Sequence, residues 1–120
     1  MRKIYTLPIY FTFEQVIEFG NFTGDNGPVH SVDGIVQGGF ILSMLPKWIV
    51  TVMKENNIPR MPNAVSIMLE SKFRNKLKSD KHATVSFEFD VSPKSLSKVN
   101  WKVFDKDLEY CSGVWVIHKS

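Results

Sequence analysis

From Gly38 the chain runs Gly38-Gly39-Phe40-Ile41-Leu42-Ser43-Met44-Leu45, a stretch that is apolar on nearly every side when wound as a helix. A helix at a protein surface keeps a polar stripe, so one that lacks it has to be buried. The reading is a helix over about Gly39 to Asn56, opened by the glycine pair and ended by Asn56-Asn57-Ile58-Pro59. Pro46 lies inside it, and a proline there lacks an amide donor and crowds the preceding turn, which predicts a kink. Ser43, Pro46, Lys47 and Thr51 interrupt the apolar run, which is too short and too broken to cross a bilayer. Something else in the chain must cover this helix.

The cover is legible as a change of period. Ala64 to Lys76 alternates, with Val65, Ile67, Leu69 and Phe73 on one face. Ala83, Val85, Phe87, Phe89 and Val91 alternate with Thr84, Ser86, Glu88 and Asp90, the mark of a half-buried strand. Val99, Trp101 and Val103 follow, then an Asp105-Lys106-Asp107 turn and a last strand from Glu109 to Ile117. Ahead of the buried helix, Ile4 to Phe11 reads as extended, with Pro8 favouring an edge. Thr12-Phe13-Glu14-Gln15 then has capping-box spacing, and it opens a helix from about Phe13 to Phe22. Several antiparallel strands and one long apolar helix make an α+β fold, a curved antiparallel sheet wrapped around one long central helix. With 120 residues, 1–120 reads as a single domain.

Charge and cysteine usage narrow the function classes. The net charge is +3 and the isoelectric point about 9.0, compatible with a polyanionic small molecule. No groove-reading motif is present, so nucleic acid is not the expected partner, nor is a membrane. The single Cys111 has no partner in the chain for a disulfide, and no basic-then-apolar leader opens the sequence, so a cytoplasmic protein is expected. No metal-ligand spacing occurs.

The chemistry concentrates in Gly24-Asp25-Asn26-Gly27-Pro28-Val29-His30. A carboxylate and an imidazole stand five residues apart on a glycine- and proline-shaped turn, just before the glycine-led helix. An imidazole suits proton transfer at neutral pH, and a carboxylate can orient a water or steady the imidazolium. The amide of Gly38, at a helix N-terminus, can donate to a developing oxyanion. Each residue also has a plainer reading. Asp25 suits a turn, His30 a packed loop, and Gln37 either a helix cap and loop hydrogen bond or a side-chain donor beside the oxyanion. Lys72, Arg74, Lys76 and Lys78 would share one strand face, either to meet phosphates or to guard a sheet edge.

Phe19-Gly20-Asn21-Phe22-Thr23-Gly24-Asp25 leading to Pro28-Val29-His30, with Ile35-Val36-Gln37-Gly38 as a second block, resembles the MaoC-like hot-dog family. That family includes the (R)-specific enoyl-CoA hydratases and 3-hydroxyacyl dehydratases, lyases of fatty acid metabolism. Ser71-Lys72-Phe73-Arg74 and the strand after it are similar to the family's next segment, so the likeness covers most of the chain. The chain departs from the family pattern in having Gly27 for the usual Asn, Gln37 for the usual His, and a short stretch from His30 to Gly38.

The resemblance implies a hot-dog fold and reversible hydration of a trans-2-enoyl thioester, with Asp25 and His30 catalytic. Gly38 and Gln37 would face the thioester carbonyl, and Lys72 and Arg74 the phosphates of the carrier. Coenzyme A or acyl carrier protein would arrive as the substrate's thioester, with no resident cofactor. A homodimer or higher homo-oligomer would cover the open sheet edge. Two alternatives stay open. One is a hot-dog acyl-CoA thioesterase, disfavoured because the helix has no carboxylate between Phe40 and Met53. The other is a non-catalytic acyl-thioester-binding protein.

Overall fold

The computed structural model describes residues 2–59, 64–90 and 98–119; Val91, which the alternation places in the third strand, lies outside them. The chain runs β1 (Arg2–Tyr10), α1 (Phe13–Thr23), α2 (Pro28–Ser31), α3 (Gly38–Glu55), β2 (Ala64–Phe73), β3 (His82–Asp90), β4 (Lys98–Asp105) and β5 (Leu108–Lys119). The five strands form one antiparallel sheet in the order β1-β3-β4-β5-β2. The α+β expectation holds; α1 and α3 stand where helices were expected, and the single-turn α2 is added to them.

Alternation in sequence becomes facing in space. Leu7 pairs with Val85, Val85 with Val103, Val103 with Cys111 and Cys111 with Phe73, so one inward row crosses every strand. The neighbouring row runs Tyr5, Phe87, Trp101, Gly113, Ser71. Gly113 is required there: a Cβ would lie 2.8 Å from the Trp101 ring and collide with the Glu70 carbonyl. Trp48, Trp101 and Trp115 are all buried, as their apolar surroundings predict.

α3 contributes Ile41, Leu45, Trp48, Ile49, Val52 and Met53 to the core. It continues through Pro46, which lies on the exposed side of the helix. Phe11 stands edge-on to Phe40 and Trp48, and Phe19 stacks on Phe40 with ring centres 4.7 Å apart. These aromatic contacts tie the end of β1 and α1 to α3. The capping box forms as expected, Thr12 accepting from the Gln15 amide and Gln15 from that of Thr12.

β2 differs from its expectation. A register shift between Ser66 and Met68 breaks the alternation: Ile67 drops out of the pairing, and Ser66, opposite Ile117, comes onto the face of Leu69, opposite Trp115. The Trp115 indole N–H donates to Ser66 Oγ at 2.8 Å beside this shift. The strand ends at Phe73 rather than Lys76, because the amides of Arg74 and Asn75 both turn to the Tyr110 carbonyl. Lys78 instead bridges to Ile35. The common strand face expected for Lys72, Arg74, Lys76 and Lys78 is therefore not built.

Candidate active site

α1 ends at Gly24, whose φ of 84° is left-handed and whose N–H returns to the Gly20 carbonyl at 2.8 Å. The chain then passes through Asp25 and Asn26 to Gly27, which caps the single turn of α2. Pro28 occupies the first helical position, where its missing donor costs nothing. That turn lifts His30 into place. The segment after it is held by the Val36 amide on the Leu77 carbonyl and the Ser79 amide on the Gly34 carbonyl, both at 2.8 Å.

The imidazole of His30 is held through Nδ1 and faces Asp25 with Nε2, a contact that becomes an ion pair when the ring is protonated. Nδ1 lies 2.7 Å from the Ile35 carbonyl oxygen. A carbonyl only accepts, so Nδ1 carries the hydrogen, and the neutral ring presents Nε2 as its basic nitrogen. Nε2 stands 3.3 Å from Asp25 Oδ1. The His30 side chain is 16% exposed and that of Asp25 54%, so an enclosed imidazole meets a carboxylate open to solvent. The structure thus brings together the two residues singled out from sequence, with the tautomer set by the backbone.

Gln37 is fully buried. Its Nε2 donates to the Val16 carbonyl at 2.8 Å and to the Asp25 carbonyl at 3.2 Å. Both amide hydrogens are thereby used, and none is left for the thioester oxygen that Gln37 was expected to face. Gly20 makes this contact possible. A Cβ on it would sit 2.9 Å from the Asp25 carbonyl oxygen and 3.2 Å from Gln37 Nε2. In sequence Gly20 appears only within the stretch that carries the family resemblance, with no role of its own, so its part in seating the loop goes unseen.

Gly38 is the first residue of α3, where amides have no acceptor within the helix. It opens onto a cleft of about 370 Å³ lined by Ile35, Val36, Ile41, Phe73 and Leu77, with Arg74 and Lys76 at its margin. The Phe73 ring lies against it, so closely that a Cβ on Gly38 would be 2.9 Å away. His30 and Gln37 line a separate, smaller cavity of about 130 Å³. The two hollows share no lining residue, but they are lined by neighbours in sequence, Gln37 in one and Gly38 in the other.

The basic residues divide. Arg74 reaches the Gly38 cleft while its Nε pairs with Glu109 Oε2 at 2.6 Å. Lys72 is not among the residues lining that cleft. It lines a groove of about 470 Å³ with Glu70, Glu88, Asn100 and Lys102. Burial, with Glu109 nearby, pushes the Cys111 thiol up to about 12, so it is no nucleophile at neutral pH. Among the described residues no cluster of metal-ligating side chains occurs, and no helix is long and apolar enough to cross a membrane.

No family model matches the chain, and no curated protein matches it in sequence. Solved structures do match in shape. The (R)-hydratase of A. caviae involved in PHA biosynthesis aligns over 98% of this chain and 95% of its own, with 14% identity and a TM-score of 0.69. The ChsH1–ChsH2 complex from Mycobacterium tuberculosis aligns over 98% and 96%, with 11% identity and a TM-score of 0.75. A mutant of the fluoroacetyl-CoA-specific thioesterase FlK, solved with fluoroacetate and CoA, aligns over 98% and 93%, with 11% identity and a TM-score of 0.66. Likeness of this kind, nearly complete in coverage and low in identity, reports architecture: this chain has the hot-dog fold.

Proposed function

We propose that the protein is a hydratase/dehydratase of acyl thioesters. The observation that carries this reading is the Asp25–His30 pair at 3.3 Å, with the imidazole's other nitrogen tied to a carbonyl. In the hydration direction, Nε2 of His30 takes a proton from water as the hydroxide adds to C3 of a trans-2-enoyl thioester. Negative charge moves to the thioester oxygen, where the Gly38 N–H receives it; one such donor is typically worth about 3–4 kcal/mol of barrier. The imidazolium, steadied by the Asp25 carboxylate, returns a proton to C2, and water has crossed the double bond. Arg74 and Lys76 would meet the phosphates of coenzyme A or of a carrier-protein arm. Hydration of crotonyl-CoA, followed by loss of the enoyl absorbance, tests the assignment. Release of free thiol without hydration would favour the thioesterase reading instead, and tight binding with neither reaction the non-catalytic one.

The working unit we propose is a homodimer joined through β2. This strand is one of the sheet's two edges and exposes Ile67 (62%), Met68 (42%), Leu69 (42%) and Phe73 (50%). Antiparallel pairing with a second copy, centred on Ser71, sets Glu70 opposite Lys72 on one face and Leu69 opposite Phe73 on the other. Both pairings occur twice by symmetry. Centring on Glu70 or on Lys72 would oppose like charges. Leu69 of the second copy would then stand beside Phe73, at the wall of the Gly38 cleft.

A further inference from the structure

Gln37 joins the two halves of the site, and only half of its amide is accounted for. Nε2 is spent on the carbonyls of Val16 and Asp25. The other arm, Oε1, is buried and meets no donor among the described residues. Native structures rarely leave a buried acceptor unpaired, and where they do the atom marks a bound water or a functional contact. Gln37 lines the small cavity, a space of about 130 Å³, together with His30, Asn21, Asn26 and Ser31, while Val16, Ile17 and Gly20 close its apolar side. A hollow with several polar groups and room for a few waters is one that water fills.

The covalent arrangement adds a second constraint. The backbone of Gln37 leads directly into Gly38, and its side chain carries the Asp25 carbonyl. One residue therefore sets how far the carboxylate-bearing loop stands from the first amide of α3. Gly20, lacking a side chain, lets the three groups close up.

We propose that Gln37 is a positioning residue: Nε2 holds Asp25 in place relative to the Gly38 amide, and Oε1 binds a water molecule in the cavity beside His30. The idea rests on the reading of Asp25 and His30 as the proton-transfer pair. Displacing that pair slows the chemical step, while the carrier's contacts at Arg74 and Lys76 lie in the other cleft and stay intact. The effect falls on kcat rather than KM.

The test uses Gln37→Met, of similar length without polar atoms, and Gln37→Glu, both assayed well below their melting temperatures. Gln37→Met should lose about 10- to 100-fold in kcat, the scale expected when reacting groups shift by up to an ångström, with KM changed by less than about threefold. Gln37→Glu should recover activity relative to the parent as pH falls, because only its protonated carboxyl can donate to a carbonyl. A high-resolution crystal structure of the parent should show a water within about 3.2 Å of Oε1, and that of Gln37→Met should lack it. Unchanged kcat in a folded Gln37→Met variant, or an Asn21 or Asn26 amide bonded to Oε1, overturns the proposal. A parent protein that hydrates no enoyl thioester removes the functional reading instead, and the crystal structure still decides the water.

Discussion

The segment from Gly24 to Gly38 holds little regular structure, whereas β2 is a ten-residue strand. Their polar and apolar groups are satisfied in the opposite sense. The irregular segment ties His30 Nδ1, the Asp25 carbonyl and the Gly34 and Val36 backbone to partners inside the chain. The regular strand leaves one backbone edge open and four large apolar side chains partly in solvent. Regularity and self-sufficiency are thus separate properties. A site that moves protons needs atoms fixed to fractions of an ångström, and a loop can provide that once each carbonyl is claimed. An edge strand is fixed by its ladder on one side only, and its other side is available to a second chain.

The contrast predicts damage of different kinds. The largest effect belongs to His30→Asn, which keeps a polar side chain but removes the proposed base. Hydration of crotonyl-CoA should fall about 10²- to 10⁴-fold, with the circular dichroism spectrum unchanged. Gly20→Ala comes next. Its methyl group meets the Asp25 carbonyl and Gln37, so thermal or urea unfolding should show a loss of about 1–3 kcal/mol. A fully stable Gly20→Ala protein would mean that the loop is looser than its contacts suggest. The smallest change in protomer stability should come from the edge. Glu70→Lys, which sets lysine against lysine in the proposed register, should alter folding by no more than about 0.5 kcal/mol. Sedimentation should nevertheless show weaker association, and adding Lys72→Glu should restore it. If the double variant stays dissociated, the pairing is not centred on Ser71.

What the sequence discloses follows the same division. Strict alternation from Ala83 to Phe89 and the Thr12–Gln15 spacing are local signals, and both appear where expected. Asp25 and His30 could be singled out because a turn with two glycines and a proline brings residues five apart together. The role of Gln37 could not. Its partners lie 21 and 12 residues away, and no spacing rule announces a hydrogen bond to a distant carbonyl. Gly20 and Phe73 escape for a like reason, since each matters through what lies against it in three dimensions. The early end of β2 also depends on a remote atom, the Tyr110 carbonyl, which captures two successive amides.

Gly113 links two things that look unrelated. Its bare α-carbon makes room for the indole of Trp101 and for the carbonyl of Glu70 on the neighbouring strand. Any larger residue would have to push β2 outward, tilting the rim on which a second molecule is proposed to dock. A lesion one strand in from the rim would then surface as a protein that folds but fails to pair.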